Sequence, residues 1–369
     1  MNIIFRADAS LQIGTGHIMR CLTLADALKA AGAICKFICR EHPGNLISQI
    51  RLRGFDVFVL PAGGEVIGTD ALADAEQSNY AAWLAVNWAT DAEQSKVGAG
   101  ETAVDWMIVD HYALDARWEQ ALRPQCQKVM VIDDLADRSH DCDLLLDQNL
   151  GRHTEDYRLL VPATCTVLAG PEYSLLRPEF AALRDESLRR RVTPQLKHLL
   201  ISMGGVDQFN ATGQVLDALK DCELLADARI TVVLGTHAPW LEHVHLLAKQ
   251  MSQPTEVKVD VSDMAKLMVN SDFAIGAAGS TSWERCCLGL PSLICIQAAN
   301  QQQIANALVL SGAAMAFSAS ANRQNILELI NEVLSEKCNL RKMSTVAATL
   351  TDGNGVGRVI EKLKAVISI

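Results

Sequence analysis

A histidine framed by glycines is the most reactive-looking feature of this chain: Gly14, Thr15, Gly16 and His17 run directly into Arg20 and Cys21. Gly14 and Gly16 let the backbone come close to a ligand, and a helix starting there turns its unpaired N–H groups toward the same point. Imidazoles titrate near neutrality, and a helix N-terminus favours the neutral, proton-accepting form, so His17 is the candidate general base. The alternative reading is a residue beside a helix cap with no chemical task. The run is not a dinucleotide fingerprint, because Met19 stands in place of the third glycine and the glycines lie well beyond the first apolar strand. A nicotinamide cofactor is therefore disfavoured, and no cofactor is expected.

Two more glycine-bearing turns occur later. In residues 201–212, ISMGGVDQFNAT, a strand ends in Gly204-Gly205 and a helix starts near Asn210; the turn reads as a second phosphate-approach loop, or as a tight turn using glycine for geometry alone. In residues 275–296 a strand enters Gly276-Ala277-Ala278-Gly279, and Ser280, Thr281 and Ser282 then open a helix that Gly289 ends before Pro291. Small residues admit a diphosphate there, and hydroxyls and amides can donate to it. Glu284, in the first turn, could accept from ribose hydroxyls or simply favour the helix dipole.

Asp110-His111-Tyr112 and Asp133-Asp134 close apolar strands, at the carboxyl edge where α/β sheets bind ligands. Paired acids can signal a metal, but loop capping is their commoner use and no companion ligand motif is present, so no metal is expected. Asn300-Gln301 follows the strand after the third motif and could reach a ligand or stand in solvent. Whether Asp8, Asp133 or Asp134 meets a substrate stays open at this level.

Positioning these residues requires a parallel sheet. Short apolar runs alternate with amphipathic stretches along the whole chain, the pattern of strands joined by crossover helices. The first half predicts strands over 2–5, 33–38, 56–60, 106–110, 128–133 and 144–146, with a helix from His17 to Ala31. The second half predicts strands over 198–202, 229–234, 257–259, 273–275 and 292–296. Between Gly63 and Gly100 the spacing of Tyr80, Trp83, Leu84 and Trp88 predicts one helical face, in a region whose role is otherwise open. The charge-dense stretch from Arg177 through Arg191 to Pro194 predicts a domain boundary, giving an N-terminal domain of 1–185 with the base and a C-terminal domain of 186–369 with the nucleotide site, the last helix being a candidate to pack back on the first domain. The expected fold class is α/β, two Rossmann-like domains facing across a cleft.

Composition limits the alternatives. A chain of 369 residues with 49% hydrophobic content exceeds the roughly 100–200 residues of one domain. A net charge of −10 argues against a nucleic-acid partner held through phosphates. No run reaches the roughly 18 apolar residues of a membrane helix, so no membrane partner is expected. The 11 cysteines include no CxxC pair and no zinc-ligand spacing, and read as reduced core residues of a cytoplasmic protein without a secretory leader.

Taken in order, several of these motifs resemble one family. Gly14-Thr15-Gly16-His17 with Arg20-Cys21-Leu22, Asp110-His111-Tyr112, Val131-Ile132-Asp133-Asp134, Gly170-Pro171-Glu172-Tyr173, Ser202-Met203-Gly204-Gly205 and Gly279-Ser280-Thr281-Ser282-Trp283-Glu284 resemble the UDP-2,4-diacetamido-2,4,6-trideoxy-β-L-altropyranose hydrolases of bacterial pseudaminic acid biosynthesis. That family is in turn similar to inverting GT-B glycosyltransferases, especially the one that adds N-acetylglucosamine to the lipid-linked peptidoglycan precursor. The resemblance implies a UDP-sugar substrate, His17 as general base, Tyr112 near the sugar, and UDP held by the Gly279–Glu284 loop and Gln301. It implies hydrolysis at the anomeric carbon with inversion; an inverting UDP-sugar glycosyltransferase is the alternative, and a noncatalytic nucleotide-sugar binder a third.

Overall fold

In the computed structural model, which describes residues 1–63, 80–100, 103–236 and 238–367, the chain divides into two compact units. One is Met1–Leu175 together with Val356–Ile369, and the other is Leu176–Gly355.

The first unit holds β1 (Asn2–Ala7), β2 (Ile34–Arg40), β3 (Asp56–Leu60), β4 (Val104–Asp110), β5 (Cys126–Ile132), β6 (Leu144–Asp147) and β7 (Thr166–Ala169). They form one parallel sheet in the order β3-β2-β1-β4-β5-β6-β7. Strands such as β4, VDWMIVD, are nearly continuous apolar runs because helices cover both faces of a parallel sheet. The order reverses between β1 and β4, which pair in register from Ile3↔Trp106 to Ala7↔Asp110. Helices leave such a switch point in opposite directions, so a crevice opens beyond the strand ends.

Gly16–Ala30 is the helix that follows β1. Its Ile18, Cys21, Leu22, Ala25 and Leu28 are buried in a core that also contains Phe5 and Phe37. That apolar stripe at three- and four-residue spacing orients the helix, and so fixes where His17 and Arg20 emerge. Before it, Ser10 closes a tight loop: its carbonyl accepts from Gly14 N at 2.8 Å and its hydroxyl from Ile13 N at 2.9 Å. Gly14, at φ +81°, supplies the left-handed turn this needs.

The second unit repeats the plan with β8 (His198–Ser202), β9 (Arg229–Leu234), β10 (Thr255–Val259), β11 (Phe273–Ala277), β12 (Ser292–Ile296) and β13 (Ala314–Ser318), ordered β10-β9-β8-β11-β12-β13 and all parallel. Its switch point lies between β8 and β11.

Three sequence expectations need correction. β7 and β13 were not foreseen, being short and bounded by half-polar residues. The stretch expected as a domain boundary is the helix Pro178–Arg191, and its arginines tie it to the second unit: Arg184 donates to Cys287 O and Ala348 O, and Arg190 to Asp272 Oδ1 at 2.5 Å. The division therefore falls at Leu175 and not at 185. The single helical face expected for Tyr80, Trp83, Leu84 and Trp88 does not form either. Residues 64–79 lie outside the described residues, Ala81–Leu84 is a short 3₁₀ turn ended by Ala85 at φ 57°, and a separate helix, Trp88–Ala99, starts under the Asn87 cap.

Helix Gly355–Ile367 returns to the first unit, where Val359 and Leu363 are fully buried beside Ile3 and Phe5. Arg358 Nη1 fastens it to Glu172 O at 2.8 Å. Leu363→Ala is expected to cost about 2–5 kcal/mol of stability, measurable by denaturant unfolding; a change under about 0.5 kcal/mol, the size typical of surface positions, would mean the helix is no part of that core.

Candidate active-site residues

The β1–β4 switch point brings the first motif and the strand-end acids together. His17 lies in the first turn of its helix, and its Nδ1 is 2.6 Å from Asp110 Oδ1 at the end of β4. Arg20, one turn on, donates through Nε to Asp110 Oδ2 at 2.6 Å and through Nη2 to Oδ1 at 2.7 Å. Its Nη1 pairs with Asp134 Oδ2 at 2.8 Å, and Asp134 also accepts from the Tyr112 hydroxyl at 2.6 Å and from Asn149 Nδ2 at 3.1 Å. Burial opposes ionisation of Asp110, but Arg20 and His17 overcome it and hold the carboxyl well below the usual carboxylate range. A carboxylate facing Nδ1 makes that nitrogen the N–H donor, which leaves the lone pair on Nε2. Among the described residues no protein group bonds Nε2.

The imidazole is enclosed. Its side chain is 9% exposed, with the Tyr112 ring edge-on at 4.6 Å and Trp83 at 6.4 Å. Trp83 stacks on Tyr112 at 5.6 Å, and Tyr80 closes the group at 5.1 Å from Tyr112. Tyr80 and Trp83 were not assigned to the site from sequence. Their alternation in an Ala-rich stretch gave no cue that they would meet a residue more than sixty positions earlier.

The other strand-end acids serve the scaffold. Asp8 is fully buried, paired with Arg6 Nη1 at 2.7 Å and accepting from Arg40 N at 2.7 Å. Asp133 caps its own loop through Ala136 N at 2.8 Å and pairs with Arg138 Nη1 at 2.9 Å. Asp8 Oδ2 also faces His111 Nε2 at 3.4 Å and His42 Nε2 at 3.6 Å, and Asp133 Oδ2 accepts from the Tyr157 hydroxyl at 3.0 Å, whereas Asp134 belongs to the His17 cluster through Arg20 and Tyr112. Gly14 and Gly16 form the turn that leads into that cluster.

In the second unit Gly204 and Gly205 follow β8, and Gly279 to Ser282 follow β11, so both loops lie at one switch point. A Cβ on Gly204 or Gly279 would meet nothing within 4 Å, so each glycine borders open space. The helix Ala211–Leu219, however, has its first amides occupied: Asp207 accepts from Ala211 N and Thr212 N, both at 2.9 Å, and Asn210 from Gly213 N at 3.1 Å. Only the glycine turn is left to approach a ligand there. Ser280 and Thr281 are half-buried, while Ser282 points inward, its hydroxyl accepting from Arg285 Nη2 at 3.0 Å. Glu284 lies 3.6 Å from Arg177 Nη2, and burial raises its carboxyl above the usual value. Gln301 accepts from Gln297 N at 2.9 Å through its side-chain oxygen. No group of three or more His, Cys, Asp or Glu arranged to hold a metal occurs among the described residues, and no helix among them is long and apolar enough to cross a membrane.

Comparison with known proteins bears on these loops. Residues 199–358 match the glycosyltransferase family 28 C-terminal domain. The UDP-2,4-diacetamido-2,4,6-trideoxy-beta-L-altropyranose hydrolase of Campylobacter jejuni is 27% identical over 281 residues, covering 76% of this chain and 86% of that protein. The resemblance read from the motifs holds. An uncharacterized protein of Methanocaldococcus jannaschii is 24% identical over 80% of this chain, which spans only 56% of that relative's length. Among solved structures, MurG of Acinetobacter baumannii superposes with a TM-score of 0.68 at 16% identity, over 99% of each chain. The fold class is accordingly α/β and GT-B-like, with one parallel sheet in each unit.

Behind the His17 cluster, Asn149 bridges Asp134 and Asp147, donating to Asp147 Oδ1 through its backbone N at 2.9 Å. Burial, with the nearby Asp134 and Asp133 charges, pushes the Asp147 carboxyl up to about 7, although the Tyr157 hydroxyl at 2.8 Å and Arg152 Nε at 3.2 Å face it. The folded state therefore holds this proton more tightly than the unfolded chain. Stability should fall as pH rises from about 4 toward 7 and stay reduced above. Asp147→Asn is expected to come nearest the wild type below about pH 4 and to gain stability relative to it as pH rises to about 8; parallel stability–pH curves would refute the shift.

Proposed function

We propose that this chain is a nucleotide-sugar hydrolase that releases UDP from a UDP-linked 2,4-diacetamido-2,4,6-trideoxy sugar, with a water activated by His17 attacking the anomeric carbon and inverting it. The observation that carries this is the His17–Asp110 contact of 2.6 Å, supported by the similarity to the Campylobacter hydrolase and by the match of residues 199–358 to a glycosyltransferase domain.

The steps follow from the groups present. UDP is a good leaving group, so no second carboxylic acid is needed to protonate it, in contrast to ordinary glycosidases. Negative charge growing on the diphosphate is stabilised by amides and hydroxyls of the Gly279–Ser280–Thr281 turn and by approach of the Gly204-Gly205 backbone. Glu284 and Gln301 act as ribose and nucleotide partners. His17 Nε2 takes a proton from water as the C–O bond to UDP breaks. Asp110 holds the Nδ1–H tautomer and stabilises the imidazolium that forms, a positioning role. Tyr112, 4.6 Å from the imidazole, lines the sugar side. Arg20 is reassigned from substrate binding to holding Asp110 and Asp134, since both carboxylates already occupy its guanidinium.

Transfer to a sugar or lipid hydroxyl would use the same groups, and an acceptor-free assay separates the two. Incubation of the UDP-sugar with the protein and a chelator, followed by NMR, should yield one equivalent of free sugar per UDP, first as the inverted anomer. No free sugar without an added hydroxyl acceptor would favour the transferase, and dependence on a metal would contradict the scheme.

His17→Ala and His17→Phe should lower kcat by roughly 10²–10⁴ with UDP affinity retained; near-normal turnover would remove His17 from the chemistry. Asp110→Asn presents an N–H to Nδ1 and so moves the ring proton to Nε2, blocking the lone pair. Its kcat should fall while KM changes little, in a protein whose folding is verified by circular dichroism. An unchanged kcat, or a fall in kcat matched by loss of folded protein, would make Asp110 purely structural.

A further inference from the structure

Among the described residues Arg285 is a buried cation with no carboxylate within salt-bridge distance, Glu284 acting on it only through its field. Its residue exposure is 3%, and its hydrogen-bond acceptors are all uncharged: Ala277 O at 2.9 Å, Ser282 Oγ at 3.0 Å and, more weakly, Thr281 Oγ1 at 3.4 Å. Glu284, its neighbour in sequence, is paired with Arg177 instead. Other buried arginines differ. Arg6 pairs with Asp8 and Asp91, Arg20 with Asp110 and Asp134, and Arg138 with Asp133. Arg191 also lacks a carboxylate, but its Nε, Nη1 and Nη2 are occupied by Leu288 O, Ser271 O and Met268 O, each at 2.9 Å, which is a structural use. All the acceptors of Arg285 belong to the single turn 277–282, where Gly279 borders open space.

The chain makes room for this charge. A Cβ on Gly276 would stand 2.7 Å from Arg285 Nη1 and 2.6 Å from Ser202 O, so glycine at the end of β11 is what admits a guanidinium beneath the turn. A buried cation lacking a counter-ion is unfavourable to the isolated protein, and burial accordingly pulls the arginine below its usual value. Such a group is retained at little net cost if an anion arrives on the far side of the loop, where low dielectric strengthens the attraction.

We propose that Arg285 is the counter-charge for the diphosphate of a uridine nucleotide, acting from behind the Ala277–Ser282 turn without touching the ligand, an inference that rests on the UDP-binding assignment of this loop. Its contacts to Ala277 O and Ser282 Oγ turn those oxygens inward; with Ala278 N, Gly279 N and Ser282 N bonded to Cys295 O, Ser282 Oγ and Gly279 O, the Ser280 and Thr281 amides are the donors the turn offers among the described residues, with the guanidinium charge behind them.

Calorimetric titration of the full chain with UDP and, separately, with uridine tests it in the wild type, Arg285→Gln and Arg285→Lys. Removing the charge should weaken UDP by about tenfold or more while leaving uridine within about twofold, and Arg285→Lys should keep the wild-type ratio of UDP to uridine affinity. A merely structural role would weaken both ligands by the same factor, or make Arg285→Lys as poor for UDP as Arg285→Gln, and either result overturns the proposal. Should Arg285→Gln fail to fold, the ratio in Arg285→Lys decides alone: kept, it supports the counter-charge, and collapsed, it refutes it. Wild-type protein that binds uridine no worse than UDP would refute the diphosphate assignment itself, a failure distinct from equal losses in the variants.

Discussion

A carboxylate sealed at the end of a strand has to be neutralised by something equally well placed, and Asp110 is neutralised by two groups from one helix face. His17 and Arg20 are three residues apart and therefore neighbours on the helix surface, and β4 delivers Asp110 to both at 2.6 Å. The strength of that arrangement comes from charge-assisted bonds made out of contact with water. Removing either partner would leave a buried anion poorly compensated. The orientation of the imidazole is thus enforced by the folding of the first unit and is not a preference of the side chain, which is how a residue at a helix start acquires one tautomer and one free nitrogen.

The sheet order explains why these residues meet. In each unit the strand order reverses once, between β1 and β4 and between β8 and β11, and the conspicuous motifs follow those strands. Helices diverging from a reversal cannot cover the strand ends, so polar side chains and glycine turns collect where backbone groups stay unpaired. Gly204 and Gly279 border open space for this topological reason. Position in the sheet, more than any single motif, marks them as candidates.

Much of this was legible in the sequence because parallel strands announce themselves as apolar runs. β3, β8, β9 and β12 have the bounds that the pattern gave, and the His17 helix differs by one residue at each end. β13, AMAFS, was missed because two of its apolar residues are alanines, which are depleted in strands and favour helix. Pairings were illegible in a different way. Nothing in the spacing says that Asp110 reaches back to His17, or that Arg20, close behind a glycine turn, is already held by two carboxylates. The helix Pro178–Arg191 read as a linker for a related reason: its arginines suggested solvent, whereas they reach carbonyls across the second unit, as Arg191 does to Met268, Ser271 and Leu288. Long cationic side chains hide their destinations from any local pattern.

The distribution of buried charge divides the chemistry between the units. In the first, each deeply buried arginine of the networks around β1 and β4 has a carboxylate, Arg6 and Arg40 sharing Asp91 and Arg20 sharing Asp110 and Asp134. A diphosphate brought there would have to compete with bonds already made, and would sit beside several acids. That region is better suited to hold an imidazole, which in the proposed reaction would gain a proton with Asp110 ready to balance it. In the second unit the Ala277–Ser282 turn is backed by Arg285 with no carboxylate opposite, so an anion there completes a pair and displaces none. With a chain of net charge −10, attraction for the proposed UDP ligand could not come from the overall field and would have to be local, and this turn is where the second unit places a buried guanidinium without a salt-bridge partner among the described residues beside glycine-bordered space.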